Sequence, residues 1–429
     1  MEYKFSVIVP CYNCEKTLPE TIDCLLGQSL HSEIQIILVN DGSSDGTGEI
    51  IGKYENDYGN ILSVSKENGG VSSARNAGIA LAEGEYTLFL DADDLLTGGS
   101  LDAIYKKMES TGADMGVFRL MRFGFGGKEY NPVVDSLAKE DEISCYDRRL
   151  MWTFSPGNKC YKTSVLKDSG VLYPPTRFRE DGAFMLSFIF TAFPGITGIY
   201  DAVNLYRQAD PKTGRSVTQN VKKIHCDDFF TSTGIITEKI QKSFSDSRCT
   251  CDNKEEYLQE FYLKTCHALI NHFFRKLWSI DETALTDLTE HYKWYYGLLS
   301  PDNLLRLRQT DGDICDVDFS VKKLKSSPLL SVKVKNPSPD FLFSCYEQTM
   351  PLFELVTVNP GDCKDMPNIN SGKPESGFVL KFRGQKATDP RIFRAVILLK
   401  KHGKLSKLPG FILKHGAFAY LKIKDMKNR

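Results

Sequence analysis

Along the N-terminal third, short apolar runs alternate with amphipathic stretches, and Gly- and Asp-rich turns separate them. Phe5–Pro10 (FSVIVP) is β-branched and closed by proline, the length and flanks of a buried parallel strand. Thr17–Ser29 sets Leu18, Ile22 and Leu25 at i, i+4 and i+7, a helical stripe; Thr17 and Glu20 have capping-box spacing, and Pro19 suits a first turn. Glu33–Asn40 predicts the next strand, broken by Asp41-Gly42-Ser43-Ser44-Asp45-Gly46. The pattern continues with a helix over Glu49–Asn56, a strand over Ile61–Lys66 and an Ala-rich helix over Ser72–Ala82. A strand over Glu85–Leu90 then ends in Asp91-Ala92-Asp93-Asp94. This alternation predicts an α/β fold with a doubly wound, mostly parallel sheet. Ligands of such sheets bind beyond the carboxyl ends of the strands, where both acid-rich segments fall.

Further on, the uncharged run Gly182–Tyr200 contains Pro194-Gly195 and reads as a buried helix, a turn and a strand start, not a membrane span. From residue 225 the texture changes. Asp227–Gln241 and Glu255–Leu299 are long, aromatic and amphipathic, and Pro301 breaks them. Leu329–Val334, Asp340–Tyr346 and Gly377–Phe382 are strand-like runs between Asn, Pro and Ser turns. The expected organisation is a sheet domain over 1–225, a helical region over 226–300, a small β-rich module over 301–390 and a basic amphipathic tail over 391–429.

Composition changes little of this. The 429 residues are 41% hydrophobic and 25% charged, enough for more than one globular core. Net charge is −1, yet Arg391–Arg429 holds eleven Lys/Arg against the single acid Asp425, so a tail of +10 sits on a remainder of −11. Such a tail suits an anionic membrane surface, or equally the acidic body of the same protein. Nucleic-acid motifs are absent. The twelve cysteines are scattered; Cys11/Cys14 and Cys249/Cys251 lack the second pair a structural zinc site needs, and they read as reduced thiols in a cytoplasmic setting. His225, His267 and His272 have no metal spacing and read as core or surface residues.

The sharpest chemical feature is Asp91-x-Asp93. Two carboxylates on a tight turn after a strand can address one Mg²⁺ or Mn²⁺ ion and one sugar or ribose hydroxyl, the phosphates of a ligand completing the shell. A solvated acidic turn would have the same spelling. Four segments in order alter that weighting: FSVIVPCYN (5–13), VNDGSSDGT (39–47), ENGGVSSARNAG (67–78) and LFLDADD (88–94). Together they closely resemble the family 2 inverting glycosyltransferases with a GT-A fold, densely over about 5–96 and more thinly to about 220.

The resemblance implies roles position by position. Pro10 and Tyr12 would line the nucleotide base pocket, Asp41 would accept from a uracil N–H, and Asn68 and Gly70 would complete the wall. Arg75 would hold the base side near Asp41, with a loop-stabilising ion pair as the alternative. Asp91 would contact ribose or donor sugar, and Asp93 would ligate the divalent metal. Inversion needs a base opposite the leaving group; Glu180-Asp181, before an apolar helix, resembles the family's acid pair, with Asp181 the base and Glu180 orienting, although an acid there can also cap a helix. Asn158-Lys159-Cys160-Tyr161 resembles a segment on the acceptor side. Arg207 and Ser216 are diphosphate candidates beside a loop at 210–214 that could be an ordinary surface loop. The expected reaction moves a sugar from a nucleotide-sugar donor, UDP-linked in this reading, to a glycan or lipid-linked acceptor of a bacterial surface polysaccharide. A sugar-phosphate nucleotidyltransferase and a non-catalytic glycan-binding scaffold are the alternatives.

Overall fold

The structure is a computed structural model that describes residues 3–125, 127–208, 223–273, 288, 291–292, 294–311, 317–324, 327–334, 353–358, 377–382 and 394–399. It divides into two compact units, Met1–Gln219 with Ile224–Leu258, and Asn220–Lys223 with Gln259–Arg429. The first unit therefore takes in residues beyond 225.

In the first unit, β1 (Phe5–Cys11), α1 (Leu18–Leu26), β2 (Ile34–Asn40), α2 (Thr47–Asp57), β3 (Ile61–Ser65), α3 (Val71–Leu81) and β4 (Tyr86–Phe89) follow the predicted alternation. They are followed by β5 (Leu95–Leu96), α4 (Ser100–Thr111), β6 (Met115–Gly124), β7 (Glu129–Tyr130), α5 (Pro132–Leu137), β8 (Lys159–Lys162), α6 (Thr163–Asp168), α7 (Glu180–Ala192), β9 (Ile196–Gln208) and α8 (Lys223–Ser243). The sheet runs β3-β2-β1-β4-β8-β6-β9-β5, with β7 beside β6. β1 to β4 are parallel, but β8 is antiparallel to both β4 and β6, and β5 to β9. The sheet is thus mixed: β1 to β4 form a parallel half, and beyond them β6 and β9 pair in parallel while β8, β7 and β5 run antiparallel to their neighbours. β1 and β2 are buried on both faces, as a sheet covered by helices on each side requires.

Two local expectations change. Thr17 makes no side-chain cap to α1; its partner in the expected capping box, Glu20, is instead ion-paired to Arg207 at 2.6 Å. Pro301 begins a helix, Pro301–Asp311, where its missing N–H costs nothing.

In the second unit, α9 (Lys254–His272, whose first turns belong to the first unit) and the helix at 301–311 accompany a five-stranded sheet. This sheet comprises β10 (Val317–Leu324), β11 (Ser327–Val334), β12 (Phe353–Val358), β13 (Gly377–Phe382) and β14 (Arg394–Leu399), in the order β10-β11-β14-β13-β12. β14 lies in the first apolar run of the basic tail and pairs with both β11 and β13. Asp340–Tyr346 and Phe411–Ile423 lie outside the described residues.

Candidate active site

The site forms where the carboxyl ends of β1, β2 and β4 meet the start of α7. β1 ends at Pro10 and Cys11, and the next residue, Tyr12, is 55% exposed. Asn13 turns the chain at a φ of 48°, and its Oδ1 accepts from the backbone N–H of Ser44 at 2.8 Å. That bond ties the loop after β1 to the loop after β2. Asp41 is buried and accepts three bonds, from Lys66 Nζ at 2.6 Å and from the N–H groups of Gly69 at 3.0 Å and Gly70 at 2.8 Å. Asn68 is exposed, and its backbone packs so closely on Gly42 that a Cβ there would lie 2.9 Å from its nitrogen. Gly70 has a φ of 85°, a conformation that costs a residue with a Cβ, and it leads directly into α3.

Arg75 does not face Asp41. Projecting from α3, its guanidinium is 3% exposed and joins Asp91 Oδ1 at 2.8 Å through Nη2 and Asp181 Oδ1 at 2.7 Å through Nη1, with Glu180 at 4.0 Å. The Tyr173 ring, stacked on Phe184 at 3.9 Å, lies 5.1 Å from the guanidinium. The expected placement on the base side is therefore corrected: the ion pair at Asp41 belongs to Lys66, and Arg75 connects the strand-end carboxylate to the acid pair. The physical reason is charge. Three carboxylates converge here, and a buried planar fork can satisfy two of them at once.

The acidic turn is held from β9. Asp94 N–H donates to Asp91 O at 2.9 Å. The Arg207 backbone N–H donates to Asp94 Oδ1 at 2.9 Å, and its Nε donates to Asp93 O at 2.7 Å. Its remaining arm reaches Glu20, and its face covers Phe123 at 4.6 Å. In this structure Arg207 is a clamp on the turn, with Nε and Nη2 of its guanidinium bonded to protein oxygens. Asp94, which sequence reasoning passed over, is 1% exposed, and burial with Asp91 beside it pushes its carboxyl up to about 9. Asp93 is exposed, and its carboxylate accepts a hydrogen bond from its own backbone N–H. Burial of its surroundings and the Asp91 charge raise its pKa.

Glu180 and Asp181 open α7, where the helix dipole favours negative charge. Arg179, at a φ of 63°, turns the chain into the helix and donates to Thr233 Oγ1 at 3.1 Å. Gly182 lets the helix start press against Phe154, whose ring a Cβ would meet at 2.6 Å. Burial and then Asp181 push the Glu180 carboxyl up to about 8. Burial also raises Asp181, with Asp91 adding to the rise and Arg75 and Lys159 opposing it.

Asp91, Arg75, Glu180 and Asp181 are thus one cluster, and Asp93 and Arg207 share the adjoining turn. Asp41, Gly70 and Asn68 form a neighbouring loop organised by Lys66. Ser216 lies outside the described residues. Lys66, Asp94 and Lys159 were missed as site residues; Lys66 adjoins a recognised motif, and Asp94 and Lys159 lie inside quoted segments. Among the described residues no group of three or more His, Cys, Asp or Glu is arranged to hold a metal by itself. The exposed Asp93 carboxylate fits a Mg²⁺ or Mn²⁺ ion whose other ligands would come from a diphosphate and water.

Comparison with known proteins agrees with this architecture. Over 194 residues the chain is 31% identical to poly(ribitol-phosphate) beta-N-acetylglucosaminyltransferase TarS of Staphylococcus aureus, covering 44% of this chain and 33% of TarS. It is 30% identical over 190 residues to the poly(ribitol-phosphate) beta-glucosyltransferase of Bacillus spizizenii, covering 43% of this chain and 29% of that protein. Over 192 residues it is 32% identical to glycosyltransferase GlyA of Streptococcus pneumoniae, covering 42% and 27%. The chain therefore spans a third or less of the length of these curated relatives. The crystal structure of S. aureus TarS 1-349 in complex with UDP-GlcNAc superposes with a TM-score of 0.55 at 22% identity, covering 76% of this chain and 96% of that one; the fold is GT-A. The family description Glycosyl transferase family 2 matches residues 6–170, and that segment of the chain is a glycosyltransferase family 2 domain.

Proposed function

We propose that the chain is an inverting glycosyltransferase that moves a sugar from a UDP-sugar to a hydroxyl of a glycan or lipid-linked acceptor in bacterial surface polysaccharide synthesis. The observation that carries the reading is the Arg75 bridge. It unites Asp91, at the end of the nucleotide-binding strands, with Asp181, at the start of α7, residues 106 positions from Arg75 in sequence. Donor-side and base-side carboxylates are thereby held by one guanidinium, the proximity that a single-displacement transfer needs.

In this reading Asp181 takes the proton of the attacking hydroxyl while its oxygen bonds to the anomeric carbon and the sugar–phosphate bond breaks. Glu180, with its high pKa, hydrogen-bonds the acceptor or the base. Asp41 Oδ2, which accepts from the Gly70 N–H alone, keeps a lone pair for a base N–H, and Pro10, Tyr12, Asn68 and Gly70 border that pocket. A divalent ion held by Asp93 supplies charge neutralisation for the departing diphosphate. Arg207 holds the turn that presents Asp93, and Ser216 remains a diphosphate candidate. The poly(ribitol-phosphate) named in the relatives supports a polyol-phosphate polymer as the acceptor class. The basic segment 391–429 is proposed to meet anionic lipid on the cytoplasmic side, and no helix among the described residues is long and apolar enough to cross a membrane.

The test is UDP release from UDP-N-acetylglucosamine, UDP-glucose, UDP-galactose and UDP-N-acetylgalactosamine, each with Mn²⁺ and with Mg²⁺. Release that chelation and Asp93→Ala both abolish supports the assignment; pyrophosphate release from a nucleoside triphosphate and a sugar phosphate would point to a nucleotidyltransferase. Asp181→Asn should lose about 10²–10⁴-fold in rate while retaining UDP affinity; full activity in that variant removes Asp181 as the base.

A further inference from the structure

Lys159 is the buried charge that this reaction scheme leaves unused. It opens β8, its side chain is 0% exposed, and no carboxylate lies within ion-pair distance of it among the described residues. Its Nζ instead reaches three neutral oxygens, Ser155 O at 2.5 Å, Asn158 Oδ1 at 2.8 Å and Thr153 Oγ1 at 3.3 Å. An ammonium has three N–H donors, so these three acceptors saturate its protonated form. The acceptors belong to one turn, 153–158, and Asn158 is itself fixed by donating to Phe118 O at 2.9 Å. Phe154, in the same turn, packs on Gly182 at the first turn of α7. One buried side chain thus organises the segment against which the Glu180–Asp181 helix start is seated.

We propose that Lys159 is a positioning residue for transfer: its ammonium fastens the turn 153–158 beneath the acid pair and, as an unpaired buried cation, keeps the Asp181 carboxylate ionised. The inference rests on the reading of Asp181 as the base. Charge is the reason a neutral residue would not serve. Asp181 faces Arg75 from α3, Asp91 from the end of β4, Lys159 and Tyr161 from β8, Tyr173 from the loop before α7, and Glu180 beside it. The Asp91 anion opposes its ionisation, and Arg75 is divided between Asp91 and Asp181. Among the described residues facing Asp181, Lys159 is the cation without a carboxylate in ion-pair distance. Burial lowers the Lys159 pKa to about 7, offset in part by Asp181, which agrees with an electrical link between the two.

The test compares Lys159→Met and Lys159→Gln, which remove the charge, with Lys159→Arg, which keeps it. The pH profile of UDP release is followed on whichever of the four UDP-sugars named above wild type turns over fastest. UDP affinity by calorimetry and the melting temperature are measured alongside. Both neutral variants should move the acid limb of kcat upward by about one pH unit, with UDP affinity within about twofold of wild type. Lys159→Arg should leave the limb in place. An unmoved acid limb in a folded, UDP-binding neutral variant overturns the proposal. If neither neutral variant folds while Lys159→Arg does, Lys159 is a structural cation alone and the proposal also fails. An active Asp181→Asn, or no UDP release by wild type from any of the four sugars, defeats the base or transferase reading and this inference with it. A dead Asp181→Asn beside an unmoved limb defeats the inference alone.

Discussion

At the scale of residues, the site is governed by how few cations neutralise how many carboxylates. Arg75 is buried between Asp91 and Asp181, so removing it leaves two anions facing each other in a poorly solvated wall. Arg75→Met should cost about 3 kcal/mol of stability, the usual consequence of breaking a buried pair, and reduce turnover at least about 100-fold. Arg75→Lys should not restore activity, because one ammonium cannot span both acids in the fork geometry. Thermal melts and UDP release measure the two effects separately. Asp94 behaves differently. With its pKa pushed to about 9 by burial and Asp91, it is neutral at pH 7, and its Oδ1 need only accept the Arg207 N–H. Asp94→Asn keeps that acceptor and should cost less than about 1 kcal/mol, whereas Asp94→Leu, which strands the N–H, should cost about 1–3 kcal/mol. Equal losses in the two variants would show that the negative charge of Asp94 matters.

At the scale of elements, α3 carries the argument. Gly78 follows Arg75 by one helical turn, and a Cβ at Gly78 would lie 2.3 Å from Ile8 Cγ2 on β1. Gly78→Ala must push α3 away from the sheet, and Arg75 moves with it. The expected result is about 1–3 kcal/mol of destabilisation from overpacking, together with a lower kcat at nearly unchanged UDP affinity. A melting curve and a kcat/KM series test it; loss of stability with unaltered kcat would separate the helix position from catalysis. Of the first four strands, β1, β2 and β4 were legible as apolar runs closed by Pro10, Asp41 and Asp91, and β3 as the alternating segment ILSVS between Gly59 and Gly69. β8 was not. Its four residues, Lys159–Lys162, alternate no pattern that a short window can detect, and they are held by β4 on one side and β6 on the other. The capping box at Thr17 failed for a related reason. Glu20 has a better partner, Arg207, which local spacing cannot disclose.

At the scale of the whole molecule, every described site residue lies in the unit comprising Met1–Gln219 and Ile224–Leu258. A chain ending at Leu258 should therefore retain UDP affinity within about threefold, about 0.7 kcal/mol; calorimetry on the truncated chain decides it. Stability against pH should also carry the mark of the buried groups. For Lys159, lowered from 10.5 to about 7 by burial, the folded chain has released a proton that the unfolded chain keeps. Its contribution to stability is present above pH 10.5 and is lost as pH falls through 7, so stability grows with pH across that window. For Glu180, raised from 4.5 to about 8 by burial and Asp181, the contribution is present below pH 4.5 and lost as pH rises through 8. Melting temperatures over pH 4–11 should show Lys159→Met flattening the first slope and Glu180→Gln the second; parallel curves for wild type and variants would refute both assignments.

The sequence by itself determined the parallel half of the sheet, the order of its motifs and the acids that end its strands. Those features are local: periodicity, turn residues and short spacings survive in a linear string. The tertiary structure alone decided that Arg75 joins Asp91 with Asp181, that Arg207 clamps the acidic turn, and that the buried Lys159 is held by neutral oxygens of the turn 153–158. Each of these depends on which elements pack together, since the partners of Arg75 and Arg207 lie 16 to 187 residues away along the chain.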